Sequence, residues 1–128
     1  MTTDAAGSRP LAHPERSEIR LEGVLHALSD PIRLLIVRQL AGGGSGDGDG
    51  DGAGAGLSCS QIELPVTKST STHHYRVLRE SGVIQQIYRG TAKLNELRRD
   101  DLDALFPGLL GSVLGAAAAQ AERPVVLS

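Results

Sequence analysis

The chain has 128 residues, so a single small domain is the default organisation. Its net charge is -2 and it has one cysteine, Cys59, which excludes an internal disulfide framework. With no Trp, one Phe and two Tyr, it has too few aromatic side chains for the stacking platforms that bind single-stranded nucleic acid. The sequence shows neither an apolar run of about 18 residues nor a signal peptide, so we expect a cytoplasmic protein.

Charge is distributed unevenly along the chain. Residues 57–99 contain seven Lys or Arg against three Asp or Glu, whereas the rest of the chain contains six against twelve. A basic segment on an acidic body can bind phosphate through its local field even when the total charge is small. This pattern favours nucleic-acid binding by residues 57–99.

The N-terminal part is predicted to contain a short arm and two helices. Residues 1–13 are small, polar and proline-flanked, and we predict a disordered arm there. A first helix is predicted to start between Pro14 and Ser17, because apolar residues recur at helical spacing after it. This apolar stripe consists of Leu21, Val24, Leu25 and Leu28. Asp30 suits the cap and Pro31 the first position of a second helix, which is apolar on most sides and is predicted to be central.

Residues 42–56 form a Gly/Asp-rich insertion in which nine of fifteen residues are Gly. Ordering Gly costs more conformational entropy than ordering any other residue, so we predict a flexible loop. A calcium site is the alternative, because Asp47, Asp49 and Asp51 alternate with Gly as at the start of an EF-hand loop. That loop requires a bidentate Glu at its twelfth position, where this chain has Ser58.

Order is predicted to resume at Leu57. Ser58 and Gln61 have the spacing of a capping box, which favours a short helix over residues 59–63. Thr67 suits the cap of the next helix, over residues 68–80, and Gly82 fits just beyond its end. Two helices joined by such a turn form a helix-turn-helix.

A hairpin and a final helix are predicted to follow. Residues 83–88 and 91–97 read as strands joined by a tight turn at Arg89 and Gly90. Asp100 is predicted to cap the last helix, which Pro107 and Gly108 should kink or break. The domain is therefore predicted to span residues 14–118, with a flexible tail over residues 119–128.

The helix over residues 68–80 has two different faces. Ser71, Tyr75 and Leu78 share the side predicted to pack on the domain. Its other side is predicted to contact DNA through Lys68, Ser69, Thr70, Thr72, His73 and Arg76. Short hydroxyl side chains allow close approach to base edges, and Lys or Arg can reach guanine or phosphate.

The position of each residue along this helix predicts whether it contacts bases or phosphates. Residues near the N-terminus of such a helix usually meet the bases first. We therefore predict base contacts for Lys68, Ser69, Thr70 and Thr72. At the hairpin, Arg89, Thr91 and Lys93 are predicted to hold phosphates. The alternative is an ordinary solvated helix face, which the neighbouring short helix and cationic hairpin make less favoured.

Three segments resemble the ArsR-type winged helix-turn-helix regulators. LHALSDPIRLLIVRQLA resembles their second helix, KSTSTHHYRVLRESGVI their recognition helix and IYRGTAKLNEL their wing. The resemblance covers residues 21–114 apart from the insertion, and implies a mainly α fold with a small β-hairpin. It also implies a homodimer that binds an inverted-repeat operator and is released by an effector. The interface would use the first and last helices, through Leu21, Leu25, Leu105, Leu109 and Val113.

The chain departs from the metal-sensing members of that family. They use cysteine pairs near the short third helix, or Asp and His on the last helix. Here the third helix has only Cys59, and the last helix has Asp100, Asp101 and Asp103 without His. We expect that the protein requires no cofactor. A metal effector is kept as an alternative, although the chain lacks the ligand sets that the metal-sensing members use. Cys59 is interpreted as structural, with a redox switch as the alternative.

These observations predict a sequence-specific regulator of transcription that binds double-stranded DNA, most simply a repressor. The alternative is a winged-helix module for protein–protein contact, or a co-regulator that needs a second protein as its sensor. An enzyme is not expected, because the sequence lacks a phosphate-binding loop, a metal-ligand cluster and a nucleophile–base pair.

Overall fold

The structure is a computed structural model that describes residues 8–43, 56–58 and 61–123. These residues form five α-helices and one four-stranded antiparallel sheet with strand order β1-β3-β4-β2. The helices are α1 (Leu21–Leu28), α2 (Pro31–Gly43), α3 (Lys68–Ser81), α4 (Arg99–Leu105) and α5 (Leu109–Glu122). The strands are β1 (Ser8–Pro10), β2 (Leu57–Ser58), β3 (Ile84–Arg89) and β4 (Ala92–Leu97). Cys59 and residues 44–55 of the insertion predicted to be flexible, which include the aspartates of the alternative calcium site, lie outside the described residues.

The core receives buried side chains from all five helices and from the sheet, with α2 at its centre. Ile36 and Val37 of α2 are fully buried, which confirms that α2 is the central helix. Asp30 caps α2 as predicted, because its Oδ2 accepts hydrogen bonds from Ile32 N at 2.8 Å and Arg33 N at 3.1 Å. Burying these apolar side chains supplies the main stabilisation of a domain of this size.

The first helix begins later than the sequence predicts. A 3-10 turn spans Arg16–Glu18, and α1 starts only at Leu21. Between them Ile19 is extended and buried, at 6% exposure. A helix running continuously from residue 17 would carry this side chain out of its contact with Gly82, so packing of Ile19 interrupts the helix.

The short helix predicted over residues 59–63 is not an α-helix where the structure describes it. Gln61 lies in a 3-10 turn, and residues 62–67 form bends and irregular chain. The capping-box contact is nevertheless present, because Ser58 N donates to Gln61 Oε1 at 2.8 Å. Residues 59 and 60 lie outside the described part.

The helix α3 and the hairpin follow the prediction closely. Gly82 ends α3 at φ +90°, a left-handed conformation that Gly adopts without a Cβ clash. The chain then enters β3, which pairs with β4 from Ile84 opposite Leu97 to Arg89 opposite Ala92. The two-residue turn is Gly90-Thr91, one position later than predicted, and Gly90 has φ +66°.

The C-terminal part forms two helices. Between α4 and α5 the chain bends by 111° at residues 106–108, so the predicted break at Pro107 and Gly108 is confirmed. The predicted cap by Asp100 is wrong, because Arg98 precedes α4 and no side chain caps it. Helix α5 continues to Glu122, beyond the predicted start of the tail. Within the described ranges no single helix is long and apolar enough to span a bilayer. The bent pair α4–α5 reaches that length and apolar composition only when its two helices are taken together.

Residues before Pro14, predicted to be disordered, pair with the sheet where the structure describes them. Ser8–Pro10 forms an edge strand antiparallel to β3. The ladder continues because Leu11 N donates to Gln86 O at 3.1 Å and Gln86 N donates to His13 Nε2 at 2.9 Å. We call residues 8–19 the N-terminal strap, and it covers the outer edge of the hairpin.

Charged side chains fasten the second half of the N-terminal strap. Arg98 Nη1 donates to Pro14 O at 2.8 Å, and Arg16 Nε lies 2.8 Å from Asp101 Oδ1. The hydrogen bond from Arg16 lowers the pKa of the Asp101 carboxyl; burial opposes this shift and Arg98 reinforces it. Asp101 therefore links α4 to the N-terminal strap.

Stability is expected to decrease as the pH falls below about 6.5, in part because of His13. Burial, then the charges of Arg98 and Arg79, lower the pKa of His13 in the folded protein, although a hydrogen bond with Leu11 opposes this. The unfolded chain therefore binds a proton first, so stability is lost between the unfolded pKa and the lower folded one. Urea unfolding of wild type and His13→Gln at about pH 7.5 and 5.5 tests this.

The His13→Gln variant is the control because its amide oxygen can accept from Gln86 N without titrating. It should show a smaller loss of stability on acidification than the wild type. Equal losses in both proteins would assign the pH dependence to other groups.

Candidate nucleic-acid interface

The start of α3 is capped by its own residues. Thr67 Oγ1 accepts a hydrogen bond from Thr70 N at 3.2 Å, as the sequence predicted. Thr67 Oγ1 also donates to Thr70 Oγ1 at 3.1 Å. A capped N-terminus keeps the first turn ordered, and its dipole favours an anion nearby.

The two faces of α3 are separated as predicted. Ser71, Tyr75 and Leu78 are buried against the domain. The opposite side, which we call the polar face, is exposed along its length. It consists of Lys68, Ser69, Thr70, Thr72, His73 and Arg76. No Asp or Glu occurs between Glu63 and Glu80, so the first carboxylate beside the polar face is Glu80, one turn beyond Arg76.

Hydrogen bonds within α3 restrict what its hydroxyl groups offer. Thr72 Oγ1 donates to Lys68 O at 3.1 Å, so the outward side of this hydroxyl presents acceptor lone pairs and a methyl group. Such a group suits the amino group of adenine or cytosine, or the thymine methyl. Lys68 and Arg76 supply donors on the same face, so it offers both donors and acceptors to base edges.

The hairpin presents the second set of predicted residues. Arg89 and Thr91 are exposed at its turn. Lys93 is half-buried and lies opposite Tyr88, with Nζ 5.6 Å from the ring centroid. Stacking on this ring limits the freedom of Lys93 while leaving a cation beside the turn.

Two of the basic residues between 57 and 99 form hydrogen bonds inside the protein instead of facing solvent. Arg79 Nη1 donates to Gln86 Oε1 at 2.6 Å, and Gln86 Nε2 donates to Asn95 Oδ1 at 2.7 Å. Arg98 binds Asp101 and Pro14 O. These bonds tie α3 to the hairpin and the hairpin to the N-terminal strap. The charge facing outward is therefore smaller than the sequence count indicates.

A polar cluster beneath α3 was not predicted as a unit. Arg33 is buried, and its Nε donates to Ala27 O at 2.8 Å. Its Nη1 lies 3.3 Å from Nδ1 of His74, which the sequence analysis did not place in the site. Burial raises the pKa of Asp30, but hydrogen bonds from the backbone N–H groups of Arg33 and Ile32, together with the charge of Arg33, outweigh it, so the net shift is downward. Local sequence contains no signal for a contact between α2 and α3.

The residues predicted to form the dimer interface differ in their exposure. Leu21 and Leu25 of α1 are exposed at 43% and 46%, which is high for large apolar side chains. The other three are partly buried against the core: Leu105, Leu109 and Val113. Among the described residues, no three His, Cys, Asp or Glu side chains are grouped so that they could hold a metal.

The fold is similar to that of a known regulator. The crystal structure of an ArsR family transcriptional regulator matches with a TM-score of 0.51 and 17% sequence identity, over 81% of this chain and 93% of that one. At this identity the likeness shows the fold alone. It confirms the predicted winged-helix fold, mainly α with a small antiparallel sheet. No family model and no curated protein sequence matches the chain.

Proposed function

We propose that this protein is a transcriptional regulator, a repressor that binds double-stranded DNA in a sequence-specific manner. The observation that carries the proposal is the polar face of α3, which is exposed, capped and free of Asp and Glu. An α-helix fits the major groove, and the donors and acceptors of the polar face can approach base edges there. The structural neighbour is a transcriptional regulator, which supports the proposal.

In this proposal the hairpin acts as the wing. Arg89, Thr91 and Lys93 would bind the phosphate backbone beside the groove that α3 enters, and so fix the register of α3. The bonds from Arg79 through Gln86 to Asn95 hold the hairpin against α3. Binding by these cations must weaken with salt, because each neutralised phosphate releases counterions.

The test is fluorescence anisotropy of a labelled duplex from the region upstream of the protein's own gene, with a scrambled duplex beside it at two salt concentrations. Tight binding with preference for the upstream sequence and strong salt dependence is the expected result. Weak, salt-insensitive binding to both duplexes would favour a protein–protein module instead.

We also propose a homodimer on an inverted-repeat operator. Leu21 and Leu25 give α1 an exposed apolar surface, and α5 adds an exposed stretch rich in Gly and Ala. A two-fold dimer would bury these surfaces and present two copies of α3 to successive major grooves. Any effector, whether small molecule, metal or second protein, would release DNA by changing the spacing of those copies.

Leu25→Glu is expected to convert the dimer to a monomer, because it places a carboxylate in an apolar contact. Ser17→Glu adds the same side chain at an exposed position off α1 and is the matched control. Sedimentation velocity should show a dimer for wild type and Ser17→Glu, and a monomer for Leu25→Glu. A dimeric Leu25→Glu protein would exclude this surface from the interface.

A further inference from the structure

A buried arginine joins three helices. Arg33, in the first turn of α2, is 7% exposed. Its Nε donates to Ala27 O at 2.8 Å and its Nη2 to His26 O at 3.3 Å, so it binds carbonyl groups at the C-terminal end of α1. The other terminal nitrogen of its guanidinium group faces α3, where Nη1 lies 3.3 Å from His74 Nδ1.

The chemistry of the pair fixes the state of the His74 ring. A guanidinium group has donors only and stays protonated, so Nδ1 of His74 must accept, and the ring proton lies on Nε2. Asp30 Oδ2 is 3.7 Å from the same nitrogen, and the His73 ring is 5.7 Å away between centroids. In this arrangement His74 is a neutral acceptor between a carboxylate and a guanidinium.

His74 occupies a critical place on α3. It lies between Thr72 and Arg76 of the polar face, but its side chain is only 13% exposed and points to the corner between α1 and α2. Burial of Tyr75 and Leu78 holds α3 on the domain, and the Arg79–Gln86 hydrogen bond ties its C-terminal half to the hairpin. Directional contact with a buried, doubly anchored arginine adds a constraint on the rotation of α3 next to the polar face.

We propose that His74, held by Arg33, is a positioning residue for sequence recognition. It sets the rotation of α3 about its own axis, and thereby which base edges Lys68, Ser69 and Thr72 can reach. Binding constellations must be held within about 0.5 Å and 10–20° to be effective. This inference rests on the proposed DNA-binding function and adds to it a residue that does not itself touch DNA.

The test compares His74→Asn with His74→Leu, two side chains of similar size. The Asn oxygen can take the place of Nδ1 and accept from Arg33, whereas Leu cannot. Anisotropy gives the ratio of affinities for the upstream and scrambled duplexes. We expect His74→Leu to reduce that ratio about tenfold or more, while affinity for the scrambled duplex, which depends on phosphate contacts, changes by less than about threefold. His74→Asn should retain the wild-type ratio within about threefold.

Two results would overturn the inference: His74→Leu retaining the wild-type ratio, or His74→Asn losing as much as His74→Leu. If His74→Leu does not fold, nitrogen NMR of the wild-type imidazole decides, because the inference requires a bare Nδ1 and a protonated Nε2; the opposite tautomer contradicts it. Wild-type protein that binds neither duplex would instead refute the proposed function. Wild-type discrimination shared equally by His74→Leu would refute this inference alone.

Discussion

Gly82→Ala is expected to lower the free energy of unfolding by about 3 kcal/mol, the sum of left-handed backbone strain of roughly 1–2 kcal/mol and an overpacking term of similar size. Gly82 has φ +90°, and an added Cβ would lie 2.5 Å from Cγ1 and 2.6 Å from Cδ1 of Ile19. Ile19 is buried, so it cannot move aside without disturbing the N-terminal strap. Urea unfolding at one fixed protein concentration measures the effect, because stability of an oligomer depends on concentration.

Gly108→Ala is the matched control. Gly108 also has a positive φ, +84°, but a Cβ there would meet no atom within 4 Å. This variant should therefore lose only the backbone term, roughly 1–2 kcal/mol. Equal losses for Gly82→Ala and Gly108→Ala would show that contact with Ile19 contributes nothing.

A double-mutant cycle separates the two terms at Gly82. Ile19→Ala removes all three atoms that the new Cβ would meet, at the cost of its own buried contacts. The double variant Ile19→Ala/Gly82→Ala should then be more stable than the sum of the single losses predicts, by about 1–2 kcal/mol. Strict additivity would contradict a direct contact between the N-terminal strap and the end of α3.

Lys68→Ala and Arg76→Ala are each expected to weaken DNA binding by about 10- to 100-fold, since one good side chain–base contact is worth roughly 1–3 kcal/mol. Both side chains are exposed on the polar face, so the midpoint of thermal unfolding should change little. Anisotropy with the upstream and scrambled duplexes distinguishes their roles. Loss of discrimination indicates a base contact, whereas uniform weakening with a smaller salt dependence indicates a phosphate contact.

Arg20→Ala controls for the loss of one positive charge. The Arg20 side chain is 74% exposed, pairs with Glu22 and belongs to neither the polar face nor the hairpin. It should leave DNA affinity within about threefold of the wild type, an energy change below roughly 1 kcal/mol. If all three variants weaken binding equally, the polar face has no special role and only total charge matters.

The part of the candidate site that lies on α3 could be predicted from the sequence, because the residues that define this helix are close to one another along the chain. Thr67 and Gly82 delimit the helix through contacts within one turn of it. The 3.6-residue period then separates Ser71, Tyr75 and Leu78 from the polar face. Alternation and the Gly90 turn likewise indicate the hairpin. Each of these inferences needs only residues that are neighbours along the chain.

The number of Lys and Arg residues in residues 57–99 overestimates the positive charge that faces solvent. Residues 57–99 are rich in Lys and Arg, but Arg79 and Arg98 are used inside the molecule. A sequence cannot distinguish a cation that faces solvent from one that binds a distant carbonyl or amide oxygen, because both belong to the same residue type. The distinction depends on which acceptor the fold brings within about 3 Å.

The contacts that orient the site arise from residues far apart in the chain. Gln86 binds His13, 73 positions away, and Arg33 meets His74, 41 positions away. Neither contact leaves a periodic or capping signal, because each exists only after hydrophobic burial has brought separate elements together. The amino-acid order alone therefore specifies the helices, the hairpin and the polar face, through interactions that span a few residues. The N-terminal strap and the break at Ile19 follow from packing, since their energies come from surfaces that meet only in the folded chain.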